Sequence, residues 1–327
     1  MIIELHHTTS SAIGKKLVQV REEGGAVALG RVLTLVVVTD AHDNEDAIRA
    51  ANEASSEHPM RVIVVHTNPE GETRLNAEIR VGRDAGAGEV VVLHAYGDTA
   101  IDPETLVQGL LLPDAPVVAW WPHYHGGAPV QSPIGQIAQV RIVDTHDVED
   151  GVEALTELAE GWNVGDSNLA WTRLTHWRAQ LAAVLDQPPY EPIERAIVTG
   201  VEGSSGALLM ASWLRVYLNV PVEVVSTEAD EHPHAHNIHS VQLVRASGTI
   251  ELERVGPGTA RLRQPGQPVQ LIPLASRDNT DVLAEELRSL APDEVYATVL
   301  LDGIPLLCNE MATTAVESDP GIEEETL

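Results

Sequence analysis

The chain has no phenylalanine, a single cysteine and only two lysines in 327 residues. Each shortage excludes something. Without Phe, a chain that is 43% hydrophobic must fill its interior with Val, Leu, Ile and Ala, with Trp and Tyr at a few points. One cysteine, Cys308, rules out an internal disulfide framework, fits a reducing cytoplasm and leaves a thiol with no resolving partner in the chain, so it reads as inert. Of 20 basic residues all but Lys15 and Lys16 are Arg; against 49 carboxylates they leave a formal charge of −29. So acidic a surface argues against nucleic acid bound through its phosphates and against anionic membranes. It favours solubility and could steer a basic partner surface, although an acidic proteome or a salty cytoplasm would explain it as well. Apolar runs such as residues 33–38 are far too short to cross a bilayer. Residues 1–9 lack a basic stretch leading into an apolar one, so no secretory signal is expected.

What is present reads as α/β. The length suggests two domains. Residues 11–21 have helical spacing. Residues 32–39 form a β-branched run typical of a central strand, followed by a helix over 44–57 and a strand over 61–66. That β-α-β order predicts a parallel pair with a right-handed crossover. Strands at 75–81 and 89–95 flank a glycine-rich turn and suggest an antiparallel hairpin at a sheet edge. A short helix at 103–111, strands at 115–120 and 139–144 and a helix at 148–159 complete a doubly wound, mainly parallel sheet, a Rossmann-like domain over residues 1–165. A second α/β domain is expected over 166–310. It opens with one helix over 170–186, carrying Trp171, Leu174, Trp177 and Leu181 along one side, and has a second β-α-β unit (193–199, 205–218, 222–226). An antiparallel meander over 238–273, a helix at 280–290 and a strand at 295–301 follow. The acidic residues 311–327 read as a disordered tail.

Four constellations could carry chemistry. The turn Gly200-Val201-Glu202-Gly203-Ser204-Ser205-Gly206 sits between a strand and a helix, where backbone N–H groups and the helix N-terminus can hold a phosphate. Gly200, Gly203, Ser204, Ser205 and Gly206 are thus the candidate anion pocket. No Lys follows the glycines and the spacing fits neither the P-loop nor the dinucleotide fingerprint, so the alternative is a tight strand-to-helix connection. His232, His234 and His236 are weak metal candidates, with His239 nearby, in what otherwise reads as an exposed loop; no metal or other cofactor is expected. Trp120 and Trp121 end a strand ahead of His123 and His125, at the carboxyl edge where open α/β sheets bind ligands; adjacent strand residues face opposite sides, so the two tryptophans are not expected to share one core. Lys15 and Lys16 offer the only ammonium groups for a partner's carboxylates, or form an ordinary solvated helix face.

Several stretches together resemble one family. They are residues 9–18 (Thr9-Ser10-Ser11-Ala12-Ile13-Gly14-Lys15-Lys16), 21–35 (Arg21-Glu22-Glu23-Gly24-Gly25), 45–55 and 111–122 (Leu111-Leu112-Pro113-Asp114 to Trp120-Trp121-Pro122). Asp166, Leu169-Ala170-Trp171-Thr172-Arg173-Leu174-Thr175 and Trp177-Arg178 complete the set. They are similar to the OpcA family, assembly proteins of glucose-6-phosphate dehydrogenase, in its actinobacterial form, over roughly residues 8–305. The resemblance implies a non-catalytic cytoplasmic partner that binds the dehydrogenase and promotes its assembly or activity, as an allosteric activator at the start of the oxidative pentose phosphate pathway. A regulatory metabolite is a further candidate partner. Cyanobacterial relatives are linked to thiol control, which a chain with Cys308 alone does not support through an internal disulfide. The resemblance brings no catalytic residues. Trp120, Trp121, Trp171, Arg173, Trp177 and Arg178, with Lys15 and Lys16, become candidate interface residues, since Trp and Arg dominate interface cores; internal packing is the competing explanation for Trp171 and Trp177. The alternative function is a protein that binds or converts a sugar phosphate at the 200–206 turn.

Overall fold

The computed structural model describes residues 1–23, 32–39, 45–81, 89–227 and 238–318. They form two α/β units. One comprises residues 1–144, 161–172 and 277–292, the other 145–160, 173–276 and 293–327. The chain therefore passes between the units several times. The linear expectation of a boundary at 165/166 differs from this arrangement, because residues 145–160 fold with the second unit and residues 277–292 return to the first.

The first unit holds an eight-stranded sheet A in the order β1-β4-β5-β3-β2-β6-β7-β8. Its strands are β1 (Ile2–Leu5), β2 (Leu33–Thr39), β3 (Met60–Asn68), β4 (Arg74–Arg80), β5 (Glu89–Tyr96), β6 (Val117–Trp121), β7 (Val140–Val143) and β8 (Asp166–Asn168). From β5 to β8 all neighbours pair in parallel, while β4 pairs antiparallel with β5 and β1. The expected hairpin is present, with β1 added outside it. Helices α1 (Ser10–Glu23), α2 (Glu45–Ala54), α3 (Pro103–Gln108) and α4 (Pro133–Ile137) complete most of the unit.

Two cores cover the faces of this sheet. Leu35, Val37, Val62, Val64, Trp120 and Ile142 lie in one, with Ala47, Ile48 and Ala51 of α2. Ile13 and Leu17 of α1 join Val36, Ile63, Val91 and Ala119 in the other. The first core is completed from far along the chain by Val282, Leu283 and Leu287, on and just after α9 (Asn279–Glu286). Two of the buried arginines of this unit are paired. Arg61 and Glu89, at the starts of β3 and β5, are 6% and 2% exposed and form an ion pair that Arg21 of α1 joins. Arg141 bonds Asp166 and the carbonyls of Ala138 and Val164.

The second unit has a six-stranded sheet B, ordered β10-β9-β11-β12-β13-β14. β9 (Arg195–Val201) and β10 (Val222–Thr227) are parallel; β11 (Ile238–Arg245), β12 (Gly248–Gly256), β13 (Thr259–Arg263) and β14 (Gln270–Pro273) form the antiparallel meander. Helices α5 (Gly151–Glu160), α7 (Thr175–Leu185) and α8 (Ser205–Leu218) belong to this unit, with the C-terminal helical run α10 (Glu294–Thr298) and α11 (Ile304–Ser318).

Three expectations are corrected. The single helix over 170–186 is two: α6 (Leu169–Thr172), in the first unit, and α7, in the second. Arg277 Nη1 donates to the Thr172 carbonyl, the acceptor a continuing helix would give to residue 176. Residues 295–301 are helical rather than a strand. Asp293 caps the run by accepting from Tyr296 N–H, and a π-turn over Val299–Gly303 precedes Pro305. Pro305 has no N–H and its ring would strike the Leu301 carbonyl in a regular helix, which the wider turn relieves. Residues 311–318, expected to be part of a disordered tail, continue α11; residues 319–327 lie outside the described residues. The stretch Glu294–Thr313 is also the one described helix long and apolar enough to cross a membrane by length and composition, which the short apolar runs did not suggest. Its Tyr296, Val299, Leu300, Ile304 and Leu307 are buried as the run packs against α8 and α5.

Candidate functional site

In sheet A the direction of strand addition reverses at β2, which has β3 on one side and β6 on the other. That switch point is where a doubly wound sheet receives its ligand. The residues at the carboxyl ends are Thr39 of β2, Trp120 and Trp121 of β6 and Asp144 after β7. Trp120 is fully buried in the α2-side core, while Trp121 is half-buried against the opposite core. The tryptophans thus lie on opposite faces, as alternation along a strand requires. Beyond them Pro122 is buried, and His123 and His125 are exposed with ring centroids 6.4 Å apart. Tyr124 donates to the Gly127 carbonyl at 3.0 Å. One step along the sheet His66 and His94 stack at 4.9 Å, aligned by the pairing of β3 with β5.

The dinucleotide that such a sheet usually serves needs a glycine-rich loop at the end of β2. The corresponding residues 40–44 lie outside the described residues, but their sequence is Asp40-Ala41-His42-Asp43-Asn44, with two carboxylates and no glycine. Glu45 and Asp46 follow in the first turn of α2. Glu45 bonds Arg80 through both oxygens, and that hydrogen bond holds its carboxyl below the usual range. The glycines of a pyrophosphate loop are missing from the sequence of this stretch, and its charge has the wrong sign.

The glycine-rich turn of the second unit is built differently. β9 leads into Glu202-Gly203, and α8 starts after Ser204, whose hydroxyl accepts from Ala207 N–H at 3.1 Å as an N-cap. Gly203 has φ +71°, and a Cβ there would lie 2.4 Å from the Glu149 carbonyl oxygen. Gly151 N–H donates to the Gly203 carbonyl at 2.9 Å, and a Cβ on Gly151 would lie 2.4 Å from that carbonyl oxygen and 2.7 Å from Ser205 N. Gly200, Ser204, Ser205 and Gly206 are buried. The start of α5 therefore packs into the turn. The N–H groups of Ser204, Ala207 and Leu208 bond Val201 O, Ser204 Oγ and Ser204 O. The strand-to-helix connection is thus tight, and Ser204 caps α8.

Trp171 and Trp177 are buried, 2% and 4% exposed, in different units, and the Arg254 guanidinium lies 5.5 Å over the Trp177 ring. With Trp120 they are out of direct reach of a partner. Trp121, Arg173, Arg178 and Lys16 are half-buried and Lys15 is exposed. Lys16 donates to Gln19 and Arg178 to Thr175. His232, His234 and His236 lie outside the described residues, whereas His239 is buried in β11. Among the described residues no three His, Cys, Asp or Glu side chains group to hold a metal. Burial pushes the Cys308 thiol up, away from the reactive thiolate.

Sequence reasoning missed the polar cluster around the family's aromatic motif. Glu286 accepts from Thr172 Oγ1 and Ser167 Oγ, while Arg277 pairs with Glu285 and bonds the carbonyls of Thr172 and Asp281. Its residues are more than 100 positions apart, and no local spacing announces them.

Comparison with known proteins gives the family directly. The model of the glucose-6-phosphate dehydrogenase subunit N-terminal domain matches residues 51–160, and that of the C-terminal domain matches residues 164–300. The chain belongs to the OpcA family. Among curated proteins none matches it. Solved structures similar to the chain include myo-inositol dehydrogenase from Lactobacillus casei, at 9% identity and TM-score 0.49, covering 86% of this chain and 95% of that one. Glucose-6-phosphate 1-dehydrogenase from Mycobacterium avium has 12% identity and TM-score 0.44, covering 91% of this chain and 99% of that one. At such scores these likenesses have no bearing on function.

Proposed function

We propose that the chain is a non-catalytic subunit that binds glucose-6-phosphate dehydrogenase in the cytoplasm and promotes its active assembly. The observation that carries this reading is the pair of family models, both described as domains of a glucose-6-phosphate dehydrogenase subunit and together reaching from residue 51 to residue 300. Two features of the residues support it. The sequence after β2 is acidic and glycine-free, and the 200–206 turn packs at Gly203 against the backbone of residues 149–151. A regulatory subunit of this kind acts by binding one conformer or oligomer of the enzyme better than another, and it shifts the enzyme by that difference in affinity.

The test is to mix the purified proteins and follow sedimentation and dehydrogenase kinetics together. A complex with raised kcat or lowered KM is expected. Absence of a complex with unchanged kinetics would remove the proposal, as would steady conversion of a sugar phosphate by this chain alone.

A further inference from the structure

The two edges of sheet B are unlike. β14 is four residues long and ends at Pro273, a short strand closed by a residue that cannot donate. Both features blunt an edge. β10 has six residues, Val-Glu-Val-Val-Ser-Thr, with strong strand propensity and no proline or lysine. It pairs with β9 on one side only, and among the described residues no strand lies on the other. Beside that edge runs α11. The two line an open groove of about 870 Å³, in which Val222 and Val224 of β10 face Leu306 and Met311. Leu306 is 44% exposed and Met311 38%, and Leu301, at 39%, lies in the preceding π-turn. Leu306 and Met311 are thus turned to solvent beside a strand edge that no described strand pairs. The combination suits strand addition: main-chain bonds supply affinity and alternate side chains enter the groove.

The charge of the chain selects the occupant. At −29 a second copy is repelled, whereas a segment with basic flanks is attracted. The groove's own carboxylates, Glu223 and Glu310, have Arg195 and Arg215 as neighbours, which leaves the apolar floor electrically quiet for an aliphatic strand. We propose that β10 and the exposed side of α11 form the docking edge for the dehydrogenase, which adds an extended, aliphatic segment with basic flanks as a seventh strand of sheet B. This rests on the reading of the chain as a subunit of that enzyme.

The experiment compares the full-length chain with the variants Val224→Lys, which places a charge in the groove, and Leu306→Glu/Met311→Glu, which removes its apolar wall. Leu271→Glu on β14, at a site 69% exposed, is the control. Binding to purified dehydrogenase is measured by sedimentation, folding by far-ultraviolet circular dichroism and thermal midpoint. Both groove variants are expected to raise the Kd at least tenfold with the midpoint kept, and the control to bind as the native chain does. Native-like binding by the groove variants overturns the docking edge while leaving the subunit reading intact. No binding by the native chain overturns the subunit reading itself. A native homodimer that the groove variants abolish assigns the edge to a second copy and overturns the inference. Should a groove variant unfold, amide exchange of residues 222–227 in the native chain decides: slowing on addition of the dehydrogenase supports the edge, and no change overturns it.

Discussion

The carboxyl end of sheet A and the glycine-rich turn of sheet B are the two places where this chain resembles a phosphate-binding α/β fold, and they depart from that pattern in opposite ways. At sheet A the geometry is right and the side chains are wrong. The switch point between β2 and β6 is formed, but the sequence that follows β2 has two carboxylates and no glycine. At sheet B the composition suits anion binding, but Gly203 and Gly151 serve the close approach of two backbones. A glycine-rich strand-to-helix turn marks close approach. Whether a ligand or the chain itself approaches is decided by residues far away in sequence.

The largest expected effect sharpens the sheet A side. Trp120→Ala empties a fully buried site and should cost about 3–5 kcal/mol in urea unfolding. A loss below about 1 kcal/mol would mean that Trp120 does not hold the core of the switch point. On the sheet B side, Gly203→Val should cost roughly 3 kcal/mol, from a side chain forced to φ +71° and against the Glu149 carbonyl. If Gly203→Val unfolds at the native urea midpoint, the turn is open and the anion pocket revives. Trp121→Ala, on the opposite face and half-buried, should cost only about 1–2 kcal/mol; equal losses for the two tryptophans would break the assignment of one to each face. The smallest effect lies at the start of α2. Arg80 holds the Glu45 carboxyl below its ordinary value of 4.5, so the stabilisation is present above that value and is lost as pH falls through the lower, folded one. Glu45→Gln should flatten this acid limb by less than about 1 kcal/mol, the range of an exposed pair. An unchanged acid limb would show that the contact contributes nothing in solution.

Legibility from sequence followed the range of the interactions. α8 could be read to the residue, 205–218, because Ser204 caps it and Asn219 ends it in the left-handed region. The central strands and the meander were legible from β-branched runs and turns. The break between α6 and α7 was not, because Arg277, 105 positions away, bonds the Thr172 carbonyl. Residues 295–301 have the composition of a strand, and their helix depends on a cap at Asp293 and on Gly303 lying close against Ser212 of α8, where a Cβ would come within 2.9 Å. For the candidate sites, the facing of Trp120 and Trp121 followed from alternation alone, while the packing at the 200–206 turn depended on Gly151, about fifty residues upstream.

The late return of α9 to sheet A has a consequence for biosynthesis. Val282, Leu283 and Leu287 leave the ribosome long after the strands they cover, so the N-terminal sheet must wait, one face incomplete, while the whole meander is translated. Severing the polypeptide just after residue 172 would strip that sheet of its closing helix, and such a fragment should be insoluble or chaperone-bound until a peptide spanning residues 277–292 is supplied in trans.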